Sequence, residues 1–234
     1  MLKAVLFDLD GTLLDRERSL LRFIRHQYER FPQFLGHLPQ TNYVNKFIEL
    51  DGYGSVWKDQ VYQQLVTEFE LDPISGTMLL EDYEENFHHS CIGFAGLQEM
   101  LNTLKKEGYK LGIITNGRDL FQQKTIKALG IVEMFEVVLI SEREGVRKPD
   151  REIFERGLKA LGVLAEAAVF VGDNPQADIE GAQAVGLRGI WKANEHWREC
   201  ATADGVFETL EELPGLIEKL GFDGICGRGK ISAS

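Results

Sequence analysis

Apolar residues fall along this chain in two rhythms. Short runs rich in β-branched residues, at 3–8, 110–115, 135–141, 168–172 and 188–192, have the length and composition of buried strands. From the second run onward they are separated by segments of helical period at 96–107, 119–129 and 150–161. That alternation predicts an α/β fold, a doubly wound parallel sheet with helices on both faces. Between the first two runs the rhythm changes: residues 15–90 hold no comparable strand, and 19–31, 41–50, 55–69 and 76–87 have helical period. The pattern therefore predicts a core made of 1–14 and 93–234, with a helical domain, 15–92, inserted after the first strand. The joints fall at Leu14-Asp15-Arg16 and at 89–93, where Gly93 is a candidate hinge. The tail GICGRGKISAS, 224–234, is rich in glycine and serine and is expected to fray.

Ligands of open parallel sheets gather where the carboxyl ends of the strands meet the loops, so the residues ending each strand are the candidates for chemistry. The first run, VLFDLDGT, ends in Asp8 and Asp10, and the second, GIITNG, ends in Thr115 and Asn116. Lys148-Pro149 follow the third, and the fourth, VFVGDNPQAD, ends in Asp173 with Asp178 five residues on. Each piece also has a bland reading: Asp10-Gly11 as a turn, Thr115-Asn116-Gly117 as a loop, Lys148 as a solvated base, Asp173-Asn174-Pro175 as a helix cap. Four such pieces in order at four strand ends make coincidence a poor account. Four carboxylates, one hydroxyl and one ammonium are expected to converge on a single rim.

Composition narrows what that rim serves. The 234 residues are 44% hydrophobic and 27% charged, enough for one full core and a smaller appendage. With 37 acids against 26 bases, the formal charge of −11 opposes a polyanionic partner, so no nucleic acid is expected. MLKAVLF runs into a strand without an export pattern and no apolar stretch reaches about 18 residues, which predicts no membrane contact and a cytoplasmic protein. Cys91, Cys200 and Cys226 lie far apart without metal spacing and read as ordinary thiols. His88-His89 read as a helix end.

The ordered set DLDGT at 8–12, Thr115-Asn116, Lys148-Pro149 and GDNPQAD at 172–178 resembles the four signature motifs of the haloacid dehalogenase-like hydrolase superfamily. The resemblance spans roughly 3–195 and implies a Rossmann-like core with the insertion as a C1-type cap. It implies a phosphatase in which Asp8 attacks phosphorus to form an aspartyl-phosphate, while Asp10 gives its backbone carbonyl to the metal and its side chain to proton transfer. Mg²⁺ is the implied cofactor, held by oxygens of Asp8, Asp10 and Asp173, with Asp178 assisting from behind, through water or by orienting Lys148. Thr115, the backbone amides of Asn116 and Thr12, and Lys148 are implied phosphate contacts, and Leu9 lies where its amide could join them.

Other readings stay open at this point. Dehalogenases of the superfamily typically lack an acid two residues after the nucleophile, so Asp10 favours phosphate chemistry; a phosphomutase would use the same rim. A receiver domain shares the sheet, an acceptor aspartate, a threonine and a lysine, but is about half as long and carries no such insertion. A catalytically inactive binding protein has no need of the whole set. ITNG, Gln123, ISE, GVRKPD and VGDN resemble the nucleotidase and N-acylneuraminate-9-phosphatase-like branch, which implies a nucleoside monophosphate or a sugar phosphate as the small-molecule partner. In the insertion, Arg22, Arg25, His26, Tyr28, Tyr53, Trp57 and Lys58 are candidate substrate contacts, with packing of amphipathic helices as the competing account. The oligomeric state has no signature in the chain.

Overall fold

Strand β1, Ala4–Phe7, is buried along its whole length and has a parallel neighbour on each side. Its four apolar residues suit a central strand covered on both faces. The computed structural model describes residues 1–226, with side chains left out of the description at 73–74 and 222–226. These residues form two compact units, 1–14 with the segment from Gly93 onward, and Asp15–Ile92.

The first unit is the α/β core. After β1 and the insertion come α6 (Leu97–Lys106), β2 (Lys110–Thr115), α7 (Asp119–Ala128), β3 (Val137–Ile140), the short α8 (Ser141–Glu144), α9 (Arg151–Leu161) and β4 (Ala168–Gly172). A π-helical turn over Pro175–Glu180 leads into α10 (Gly181–Gln183), and then β5 (Arg188–Lys192), β6 (Gly205–Phe207) and α11 (Leu213–Cys226) complete the unit. The sheet order is β3-β2-β1-β4-β5-β6, every pair parallel. Connections step outward on one side of β1 and then on the other, so the crevice between β1 and β4 is the switch point at which such sheets bind ligands. Phe7 is in register with both Ile113 and Val171, which brings the tips of β1, β2 and β4 to one level. Beneath that edge, Ile153, Phe154, Leu158 and Leu161 of α9 pack against Leu6, Ile114 and Phe170.

The second unit, α1 (Arg16–Arg30), α2 (Pro32–Leu35), α3 (Gln40–Asp51), α4 (Lys58–Glu68) and α5 (Pro73–Asn86), has its own core around Phe23, Tyr43, Phe47 and Tyr62. Gln27 is buried at its centre with the amide fully used. Its Nε2 donates to Leu79 O (2.8 Å) and Asp82 Oδ2 (2.9 Å), and its Oε1 accepts from the hydroxyls of Tyr43 (3.0 Å) and Tyr62 (2.8 Å). Asp51 closes α3 by accepting from Nη1 and Nη2 of Arg16, each at 2.9 Å, from Gly54 N at 2.9 Å and from Lys58.

Several expectations need correction. The third strand begins at Val137, two residues late, because the Phe135 amide turns back to Val132 O (3.4 Å). The fourth helix of the insertion begins at Lys58, because Gly52–Gly54 forms a 3₁₀ turn with Tyr53 at φ 55°. β6 and α11 lie outside the expected elements. Helix α11 continues to Cys226, so the first tail residues are helical, and the rest of the expected frayed tail, 227–234, lies outside the described residues. Cys91 and Cys200 are free thiols. No described helix is long and apolar enough to cross a membrane.

Candidate active site

At the carboxyl end of β1 the chain turns sharply. The Leu13 and Leu14 amides both donate to Leu9 O, at 3.0 and 2.9 Å, and Gly11 sits at φ +83°. Glycine is required there twice over: the left-handed backbone disfavours a side chain, and a Cβ would stand 2.4 Å from Asp173 Oδ2. The close passage of this turn brings the ends of β1 and β4 together.

Three carboxylates meet in that space. One oxygen from each of Asp8, Asp173 and Asp178 lies within 4.8 Å of the other two. Lys148 reaches in from the loop before α9, its Nζ 2.5 Å from Asp8 Oδ1 and 2.7 Å from Asp178 Oδ1, and 5.2 Å from the centre of the Phe170 ring. Asp8, Asp178 and Lys148 are all buried. Thr12 donates its hydroxyl to Asp8 Oδ2 at 3.3 Å. Both Asp178 oxygens are occupied, one by Lys148 and the other by the Asn174 amide at 3.0 Å. The Asp173 carbonyl is pinned by Trp191 Nε1 (2.8 Å) and Asn194 Nδ2 (3.1 Å).

With three carboxylates around one ammonium, negative charge is in excess, and burial makes that excess expensive. Burial first, and then the charges of Asp178 and Asp10, push the Asp8 carboxyl up to about 7 against the pull of Lys148. Asp173 is raised well above the ordinary carboxylate range by burial and by Asp8 and Asp178. Burial works against the charge of Lys148, but Asp178 and Asp8 outweigh it and hold the ammonium above its usual value. Such a hard-oxygen cluster, short of positive charge, fits a divalent cation: Asp173 and Asp8 can offer it oxygens, Asp8 through Oδ2, whose contact from Thr12 is long at 3.3 Å, whereas Asp178 is committed to Lys148 and the backbone.

Asp10 lies beside the cluster, its Oδ2 accepting from Gln122 Nε2 at 2.6 Å. Thr115 is fully buried at the tip of β2, its Oγ1 3.2 Å from the same nitrogen. Asn116 clasps the lysine loop: its Nδ2 donates to Lys148 O (3.0 Å) and its Oδ1 accepts from Lys148 N (2.9 Å). The Thr12 amide is 3.4 Å from Leu9 O, a bond within the turn. Gln123, part of the motif resemblance, is exposed, and Gln122 is the glutamine turned into the site. Gln122, Trp191 and Asn194 are absent from the sequence expectations; for Gln122 the available signal was helical phase, since it shares the buried face of α7 with Thr125 and Ile126.

The candidate contacts of the insertion belong to the second unit. Tyr28 donates its hydroxyl to Leu38 O (2.6 Å) and Lys58 pairs with Asp51, which are packing roles. Arg22, Arg25, His26, Tyr53 and Trp57 are exposed or nearly so.

Residues 5–192 match the family described as haloacid dehalogenase-like hydrolase. The chain is 32% identical to a glyceraldehyde 3-phosphate phosphatase of Pyrococcus furiosus, covering 94% of this chain and 93% of the relative. The crystal structure of a HAD phosphatase from Thermococcus onnurineus superposes with a TM-score of 0.66 at 30% identity, covering 92% of this chain and 98% of that one. A 2-haloacid dehalogenase from Pseudomonas syringae is also similar, with a TM-score of 0.64 at 27% identity over 94% of this chain and all (100%) of that one.

Proposed function

Because this chain belongs to the haloacid dehalogenase-like hydrolases, we propose that it is a Mg²⁺-dependent phosphatase of a small sugar phosphate, working through an aspartyl-phosphate on Asp8. The observation that carries the reading is the meeting of Asp8, Asp173 and Asp178 at the ends of β1 and β4 around the buried Lys148, with Asp10 beside them.

Bound Mg²⁺, held by Asp8, the Asp10 carbonyl and Asp173, would supply the positive charge that lets one anion attack another. Everything else is done by side chains. Lys148 keeps the Asp8 carboxylate directed and neutralises a phosphoryl oxygen, and Asp178 holds Lys148 in place from behind. A carboxylate oxygen of Asp8 attacks phosphorus as the ester P–O bond breaks, and the Asp10 carboxyl gives its proton to the departing oxygen. The Asp10 carboxylate then takes a proton from the attacking water, the bond between phosphorus and Asp8 breaks, and inorganic phosphate leaves. Thr115 donates its hydroxyl to a phosphoryl oxygen. The Asn116 side chain, clasped to the Lys148 backbone, shapes the lysine loop.

The helical insertion, 15–92, takes the part of a C1-type cap that selects the organic portion of the substrate, and the enzyme works in the cytoplasm. Glyceraldehyde 3-phosphate phosphatase as the name of a relative similar over nearly the whole chain favours a short sugar phosphate over a nucleoside monophosphate. Likeness to a dehalogenase supports halide release as a second reading. The acid at position 10 and the divalent-ion cluster weigh against it, since displacement of halide from carbon uses neither.

The test is release of phosphate from p-nitrophenyl phosphate and from a panel of sugar and nucleoside phosphates, with Mg²⁺ or with EDTA, for the wild type and Asp8→Asn. Turnover that needs Mg²⁺ and disappears in the variant is expected. Halide release from 2-chloropropionate without metal, or metal-independent phosphate release, would overturn the reading.

A further inference from the structure

Gln122 is buried beside the catalytic rim, and its amide is used in a lopsided way. Its Nε2 lies 2.6 Å from Asp10 Oδ2, 3.2 Å from Thr115 Oγ1 and 3.3 Å from Asn116 O. A carboxylate and a carbonyl only accept hydrogen bonds, so the NH₂ group must face them. Oε1 is then turned away, buried and without a partner among the described residues. An orphaned buried acceptor destabilises a fold, so its presence calls for an explanation. The backbone has made space for this arrangement as well: a Cβ on Gly117 would stand 2.6 Å from Gln122 Nε2 and 2.9 Å from its Cγ.

We propose that Gln122 is a positioning residue for proton transfer by Asp10. The inference rests on the proposed mechanism, in which Asp10 protonates the leaving oxygen and later deprotonates water. By holding Oδ2, the amide fixes the plane of the Asp10 carboxyl and leaves Oδ1 to face the substrate. By donating toward Thr115 Oγ1, the same nitrogen leaves the threonine hydrogen free to point at a phosphoryl oxygen. A single side chain from α7 thus sets two groups at the ends of β1 and β2, and the stranded Oε1 is what this orientation costs.

The experiment compares kcat/KM, which covers the steps up to loss of the leaving group, for glycerol 3-phosphate and p-nitrophenyl phosphate in the wild type, Gln122→Met, Gln122→Glu and Asp10→Asn. An alkoxide leaving group needs a proton and p-nitrophenolate does not, so the alkyl-to-aryl ratio reads the proton donor. In Gln122→Met, which keeps volume and loses the donor, kcat/KM for glycerol 3-phosphate should fall ~10²-fold through kcat with KM little changed, as expected for misplacement of a catalytic group. The fall for p-nitrophenyl phosphate should be much smaller. Gln122→Glu, which places a like charge beside Asp10, should lower the ratio at least as far. A purely structural glutamine predicts equal losses on both esters, and that result, or a wild-type ratio, overturns the proposal. If Asp10→Asn keeps the wild-type ratio, Asp10 is not the proton donor, and the proposed mechanism falls and this inference with it. If Asp10→Asn collapses the ratio and the Gln122 variants do not, only the inference is lost. Should Gln122→Met not fold, Gly117→Ala, whose methyl displaces the amide, is read by the same ratio.

Discussion

Replacing Lys148 by methionine removes one ammonium from between two buried carboxylates and leaves a chain of similar length in its place. In the native protein Nζ lies 2.5 Å from Asp8 and 2.7 Å from Asp178, all three groups buried. Breaking a buried pair by deleting one partner costs about 3–5 kcal/mol, because the remaining charge is left uncompensated. The pH dependence comes from Asp8. Its folded carboxyl is pushed up to about 7, chiefly by burial, whereas the unfolded group titrates as an ordinary aspartate. Between those values the folded Asp8 carboxyl binds more protons than the unfolded one, so its contribution to metal-free stability falls as pH rises and levels off above pH ~7. Without Lys148 the carboxyl is pushed higher still, and the decline continues beyond that point. Urea unfolding in EDTA at pH ~5 and ~8 measures both effects. The loss for Lys148→Met should reach the full range at pH ~8 and be smaller at pH ~5, where Asp8 is already neutral in the wild type. A loss below ~1 kcal/mol, the size of an exposed ion pair, or an equal loss at both pH values would refute the buried-triad argument.

Mg²⁺ should raise the melting temperature more at pH ~8 than at pH ~5, and titration near pH ~6 should release protons, because Asp8 and Asp173 must ionise to become ligands; calorimetry in buffers of different ionisation enthalpy counts them, and a null count sinks the idea. Gly11→Ala, with φ +83° and a Cβ 2.4 Å from Asp173 Oδ2, should lose about 1–2 kcal/mol to backbone strain and weaken Mg²⁺ binding ~10-fold or more; wild-type Mg²⁺ affinity would show that the close passage does not matter. In the helical unit, burial disfavours the Asp51 charge but Arg16 and Lys58 outweigh it and hold the carboxyl below its ordinary value. Its contribution is therefore complete above the unfolded value and lost as pH falls through the folded one. Asp51→Asn should cost about 3 kcal/mol at neutral pH by chemical denaturation, with the gap to wild type closing in acid.

The five longer strands were legible because a parallel strand covered on both faces must be a short continuous apolar run, and each such run is bounded by turn residues. Strand β6 has three residues, lies at the sheet edge and exposes Val206, so it carries no run to detect. Helix α11 opens on Leu213-Pro214-Gly215, and its glycines interrupt the helical period; tertiary packing of Leu213 and Ile217 overrides weak propensity there. Asp173-Asn174-Pro175 also has the pattern of a helix cap, and the cap is present beside the site: Asn174 Oδ1 accepts from the amides of Gln176 (3.1 Å) and Ala177 (2.9 Å). The turn beyond that cap is π-helical, a detail of hydrogen bonding that residue types do not encode.

The same contrast runs through the site. Asp8 and Asp173 were legible because an ionisable group ending an apolar strand has no packing reason to be there, and Lys148, in the loop before α9, was legible only through the ordered set of motifs it belongs to. The residues that orient them leave no such mark. Trp191 and Asn194 hold a carbonyl, and a carbonyl is present at every position, so nothing in sequence singles out the one at Asp173. Asn116 stands out in the sequence as a strand-end residue whose backbone amide is expected to meet phosphate, and its side chain has a further part that sequence does not show: it clasps the lysine loop, a pairing across 32 residues that depends on the register of β2 beside β3. Gln122 and Gln123 are chemically identical neighbours, and only the phase of α7 separates them. Position 122 shares a face with Ile126 and faces inward, and position 123 faces solvent. Charges at strand tips can therefore be found from sequence alone, whereas neutral donors that aim them become visible only when helix phase and strand register are known.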